Sequence, residues 1–140
     1  KPGRDESFFD GVGNLSTIGV FGYFYKYAEY ITDHTILINK YNTLTVKSEG
    51  TVIQMLLRRR GEIGIISSTL LDYKKLTEQE VYNKFLISIR HDSEYSTNFI
   101  ISKTAPVSPK EINKFWVLLK NNGLMAKAFK KYGLTPPVIP

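Results

Sequence analysis

The chain has 140 residues, 42% hydrophobic and 23% charged, which is enough for one domain with its own core and too apolar for disorder along most of its length. It contains no cysteine, which excludes disulfides, thiol catalysis and zinc–thiolate sites, and no apolar run near the roughly 20 residues that span a bilayer. The formal net charge is +6, and the whole excess lies between Lys103 and Lys131, where seven lysines (Lys103, Lys110, Lys114, Lys120, Lys127, Lys130 and Lys131) stand against one acid, Glu111.

A basic helical stretch can bind nucleic acid or anionic lipid. This one holds no arginine and lacks the interleaved exposed aromatics of nucleic-acid sites, so a solvated lysine face on a helix pair is the simpler reading. Lys1-Pro2-Gly3-Arg4-Asp5-Glu6 has no hydrophobic segment of the signal-peptide kind; a mature or truncated chain would lack one too, so the compartment stays open.

In chain order, the apolar run at 17–21 predicts a buried strand that Gly22 ends, followed by an aromatic-rich helix over 23–31. Thr35, Ile36, Leu37 and Ile38 predict a second strand, over 35–39, with a polar turn at Asn42 and Thr43. Ser48 or Thr51 caps a helix over 48–60 with Val52, Met55 and Leu56 on one face, and Gly61 fits the left-handed position that ends it. Residues 63–67 read as a third strand, apolar throughout as suits a strand covered on both faces. The hydroxyl cluster Ser67, Ser68, Thr69 follows, and these side chains can cap a helix around Leu70, Leu71 and Asp72.

Thr77-Glu78-Gln79-Glu80 has the capping-box pattern for a short helix, and 85–90 and 97–103 predict two more strands. Ser108, Pro109 and Glu111 are the clearest local signal: a capping serine, proline at the first helical position and glutamate at the third. A helix over 109–121 carries Ile112, Phe115, Trp116 and Leu119 at helical spacing; another covers 124–132 with Ala128 and Phe129 inward. The proline-rich residues 134–140 predict an extended tail. Alternating strands and helices predict an α/β fold, a largely parallel sheet with helices on both faces.

The order of these parts resembles extracellular solute-binding protein family 3, the periplasmic binders of the polar-amino-acid type. Asn14-Leu15-Ser16-Thr17-Ile18-Gly19-Val20-Phe21-Gly22-Tyr23 is similar to that family's entry into its second domain. Leu56-Leu57-Arg58-Arg59-Arg60-Gly61-Glu62-Ile63-Gly64-Ile65-Ile66 resembles its helix–turn–strand, and Asn98-Phe99-Ile100-Ile101-Ser102-Lys103 its return strand. Leu119-Lys120-Asn121-Asn122-Gly123-Leu124 and Phe129-Lys130-Lys131-Tyr132-Gly133 resemble its ending. Each motif is generic; four in the right order carry the likeness.

The resemblance implies a periplasmic-binding-protein-like (type II) lobe over 1–103, with a hinge or return strand near 97–103. It implies C-terminal helices over 104–133 that pack on a first lobe, and it implies periplasmic capture of a small polar or anionic solute for an ABC-type transporter. The implied partners are the solute, the membrane permease and a first lobe or swapped copy, with no nucleic acid, cofactor, metal or enzymatic step. On the residues, ligands of open α/β sheets sit outside the carboxyl ends of the strands. The candidate contacts are therefore Gly22, Tyr23, Phe24 and Tyr25 on one segment and Ser67, Ser68 and Thr69 on the other. Free backbone N–H groups at a helix start after Gly22 would receive an anion.

In the family that turn takes the ligand's carboxylate, and hydroxyl residues follow the glycine; Tyr23 and Phe24 stand there instead. Thr69 falls where the amino-acid binders carry an aspartate for the ligand's amino group, a departure that weighs against an α-amino acid. The tyrosines equally suit plain packing, and Arg58, Arg59 and Arg60 suit a helix end. His34 and His91 lack metal-ligand spacing. Two other functions fit the composition: a sensory or scaffold module of the same fold, and a small basic nucleic-acid-binding domain.

Overall fold

The computed structural model describes residues 4–95 and 100–134. Strands β1 (Thr17–Val20), β2 (Thr43–Val46) and β3 (Ile63–Gly64) form one parallel sheet in the order β2-β1-β3. Thr17 pairs with both Thr43 and Ile63, and Ile18 with Leu44 and Gly64. Helix α1 (His34–Tyr41) connects β1 to β2, and α2 (Glu49–Leu57) connects β2 to β3. The first crossover moves outward from β1 to β2 and the second returns past β1 to β3, so right-handed connections put α1 and α2 on opposite faces.

The core reflects that division. Ile18 and Val20 of β1 pack with Val52 of α2 on one face, joined by Val46, Met55, Leu56 and Ile66. On the other face Tyr25, Ala28, Leu37 and Tyr41 form a second cluster, joined by Tyr27, Ile31 and Ile65. Gly19 belongs to that second face, where a Cβ would stand 2.4 Å from the Tyr25 hydroxyl and 2.7 Å from Cζ. A side chain there would displace the tyrosine that fills the space. The α/β class and the parallel sheet with helices on both faces thus agree with the expectation.

Several elements differ from it. Residues 35–39 are not a strand but lie in α1, and the second strand is β2. The Asp33 carboxylate accepts from the Ile36 N–H (3.0 Å) and Asn42 takes the left-handed conformation at the far end, so caps override the β-branched run. Residues 23–31 hold only one turn of 3₁₀ helix, Lys26–Ala28. The left-handed position after α2 is Arg59 (φ 57°), not Gly61. Gly61 serves packing, since a Cβ there would stand 2.4 Å from Ile18 Cδ1. Thr77 caps nothing: it ends α3 (Ser68–Thr77), its hydroxyl donates back to the Tyr73 carbonyl, and Glu78 alone separates α3 from α4 (Gln79–Tyr82).

Residues 85–90 form no strand. Their polar groups turn to the N-terminal 3₁₀ segment Glu6–Gly11: Ser88 Oγ donates to Glu6 (2.5 Å), and Arg90 pairs with Glu6 (3.1 Å) and Asp10 (2.8 Å). Hydrogen bonding from Ser88, with Arg90 beside it, holds the Glu6 carboxyl below its ordinary range. Of the strand expected over 97–103, residues 97–99 lie outside the described residues, and 100–103 are not extended into a sheet. The tail expectation for 135–140 also falls outside them.

Helix α5 (Pro109–Asn121) opens on the expected capping box: Ser108 Oγ accepts from the Glu111 N–H, and the Glu111 carboxylate accepts from the Ser108 N–H. Gly123, at φ 73°, turns the chain into α6 (Leu124–Lys131). Met125 is buried, and beyond α6 Gly133 lies against Asp72 and Leu76 of α3. The outer side of this hairpin stays in water: Phe115 is 60% exposed and Leu118 61%, with Val117 and Leu124 about half exposed, while Trp116 is half-buried. Among the described residues no helix is long and apolar enough to cross a membrane.

Candidate functional site

The strands are parallel, so their carboxyl ends emerge at one edge. After β1 the Phe21 N–H donates to the Val46 carbonyl at the end of β2 (2.8 Å), and the Tyr23 N–H turns back to the Val20 carbonyl (3.2 Å). Gly22 supplies the left-handed residue of that turn (φ 83°), and nothing surrounds the place of its missing Cβ. Phe21, Tyr23 and Phe24 are all exposed at this edge.

Tyr25 belongs to the core, not to the edge. It is 1% exposed, its hydroxyl accepts from the Val20 N–H (2.5 Å) and donates to the Val20 carbonyl (2.8 Å), and burial pushes its phenol pKa well up. The tyrosine satisfies the backbone of the last residue of β1 where the ladder gives out. Tyr27 behaves similarly: its hydroxyl pairs with Thr43 Oγ1 at 2.8 Å, and burial pushes its pKa up to about 12.

Two backbone donors at the start of the 3₁₀ turn, those of Lys26 and Tyr27, are already engaged. The Asp92 carboxylate accepts from the N–H groups of Lys26 (2.9 Å) and Tyr27 (3.0 Å), and Ser93 Oγ also accepts from Lys26 (3.2 Å). The Tyr95 hydroxyl donates to the Phe24 carbonyl. Residues 92–95 thus form a strap across the start of the 3₁₀ turn, 65 or more positions away in sequence.

The second segment is engaged in the same way. Ser67 Oγ caps α3 by accepting from the Leu70 N–H (3.2 Å), as the capping reading of the hydroxyl cluster expected. The Ser67 N–H donates to the carboxylate of Glu49, the first residue of α2. Ser68 and Thr69 begin α3 with exposed side chains, and Asp72 is exposed one turn further along. Burial raises the Tyr23 phenol pKa, and the Glu49 carboxylate and the Tyr95 phenol add to the rise.

The edge therefore combines Tyr23, Phe24, Tyr95, Glu49 and Ser67, with Gly22 in its turn. Glu49, Asp92 and Tyr95 escaped the sequence reading. Glu49 directly follows a capping serine and reads as an ordinary first-turn acid; Asp92 reads as a polar turn. Only the three-dimensional pairing shows that each carboxylate closes a backbone slot. Among the described residues no group of three His, Asp or Glu side chains could hold a metal ion; His34 Nδ1 pairs with Thr45 Oγ1 at 2.8 Å. No family model matches this chain, and neither the curated proteins nor the solved structures contain a significant match to it.

Proposed function

We propose that this chain is the second, type II lobe and tail of a periplasmic solute-binding protein, which captures a small polar solute for a membrane permease and performs no catalysis. The observation that carries the reading is the shared edge: three parallel strands end together, and the turns after them present Tyr23, Phe24, Ser68 and Thr69 to solvent. Ligands of open parallel sheets lie in the crevice outside such ends. The uncovered Phe115 and Leu118 support it, because a first lobe, from the same polypeptide or a swapped copy, would seal that helix face and complete the crevice. A sensory module of the same fold would keep the edge and lose only the permease. The nucleic-acid reading is weaker, since the lysine-bearing hairpin holds no arginine, although the exposed Phe115 does stand among its cations.

The test is thermal unfolding against a panel of amines, amino acids and carboxylates. A true ligand at about one hundred times its Kd adds roughly 2.7 kcal/mol. Stabilisation by a panel member, with amide shifts at Tyr23, Phe24 and Ser68, supports the reading; a panel without effect, together with salt-sensitive DNA binding, overturns it.

A further inference from the structure

The segment that crosses the turn after β1 is attached to the fold at two places, and one of them lies away from the edge. Residues 86–95 belong to no helix or strand, and among the described residues no main-chain to main-chain hydrogen bond ties them to the rest of the fold. They bring no buried apolar side chain either: Leu86, Ile89 and Tyr95 are exposed, Ile89 at 87%. A segment with few buried contacts and solvent-exposed polar ones opens at low free energy while the core stays closed.

The first attachment is a polar clasp on the N-terminal turn. Arg90 donates to the Glu6 carboxylate through Nε (3.1 Å), to the Asp10 carboxylate through Nη1 (2.8 Å) and to the Glu6 carbonyl through Nη2 (2.9 Å). Ser88 Oγ adds a bond to Glu6 (2.5 Å). The turn is itself fixed to the body, since Arg4 pairs with Glu62 beside β3 (3.5 Å). The second attachment begins two residues later. Asp92 holds the Lys26 and Tyr27 N–H groups (2.9 and 3.0 Å), and Ser93 Oγ (3.4 Å) and the Tyr95 hydroxyl both donate to the Phe24 carbonyl. Only His91 separates Arg90 from Asp92. With Arg90 held, Asp92 has a short length of chain to search, so its own closure costs less entropy. The main chain gripped at Phe24 belongs to the turn that presents Tyr23 and Phe24 to solvent.

We propose that residues 88–95 are a strap that opens and closes over the turn after β1 as one unit, with Arg90 on the N-terminal turn as its anchor. Under the solute-capture reading above, on which its use rests, the closed strap holds the Phe24 main chain still and the open strap lets the turn adjust around a solute. Amide hydrogen exchange tests the strap with no solute added, so its outcome is separate from that of the solute panel. Glu6→Gln together with Asp10→Asn removes the charges of the anchor and touches nothing in the second grip. The Lys26 and Tyr27 amides should then exchange roughly threefold faster or more, the worth of exposed ion pairs, while the β1 amides keep their rates. By reciprocity, Asp92→Ala should speed exchange at the Arg90 Nε–H by a similar factor. If the double variant fails to fold, Arg90→Gln breaks the same clasp and leaves the side chains of the N-terminal turn in place. Unchanged Lys26 and Tyr27 rates with the anchor broken, or an Arg90 Nε–H indifferent to Asp92→Ala, make the two grips independent and overturn the proposal. An equal rise across all slow amides also overturns it, because the strap then opens only with the whole fold.

Discussion

Gly19 and Tyr25 show how much of this fold rests on single atoms. The missing Cβ of Gly19 admits the Tyr25 ring, and the Tyr25 hydroxyl then serves both backbone groups of Val20. Gly19→Ala should destabilise the chain by about 1–3 kcal/mol through overpacking, and Tyr25→Phe by about 1–3 kcal/mol through unpaired buried backbone. The costs should not add, because the hydroxyl removed by one change is the atom nearest the methyl added by the other. Urea denaturation of both single variants and the double variant measures the coupling. Tyr27 supplies a pH signature. Its phenol pKa, near 10 when unfolded, is pushed up to about 12 in the fold, and Tyr25 moves the same way, so folding favours the neutral phenols. That contribution is complete below about pH 10 and is lost as pH rises through about 12, because the unfolded chain releases those protons first. The urea midpoint should fall across this window, and Tyr27→Phe should make the fall shallower.

At the scale of elements, α1 is a contest between propensity and capping. Its Thr35, Ile36 and Ile38 favour a strand by shape, yet Leu37 and Tyr41 lie four apart on one buried face, and Asp33 and Asn42 close both ends. Asp33→Ala should cost about 1 kcal/mol, and amide exchange in α1 should speed up more than in α2. The 92–95 strap is an element of another kind, held by side chains without a ladder. Asp92→Ala should free the Lys26 and Tyr27 amides, raising their exchange rates and lowering stability by about 1–2 kcal/mol. If those two amides keep their protection, the carboxylate is not what holds the strap.

Over the whole molecule, the sheet with its two covering helices carries a core cluster on each face, while the outer face of α5 and α6 is left to water. Phe115 is exposed and Trp116 half-buried, so the rest of the chain does not seal both. Replacing Phe115 and Leu118 by aspartate should change sheet stability by no more than about 0.5 kcal/mol each, since surface changes away from special features rarely do more. The same double variant should bind less of an apolar dye and sediment with less concentration dependence. Equal dye binding and equal sedimentation would mean that this face drives no association.

The sequence by itself determined the α/β class, the first strand, the cap of α3, the start of α2 and the boundaries of α5 and α6. Those features rest on local chemistry: an apolar run, hydroxyl caps, a proline at the first helical position and a glycine at a turn. Tertiary structure decided the rest. It made 34–41 a helix and moved the second strand to 43–46, because burial of Leu37 and Tyr41 beneath the sheet outweighed β-branching. It drew Tyr25 into the core, since only a folded β1 presents Val20 groups for the hydroxyl to bind. Above all it set the character of the edge. Asp92 and Glu49 meet their backbone partners across 65 and 18 positions, and no local pattern encodes pairings that exist only once the parallel strands have brought their ends together.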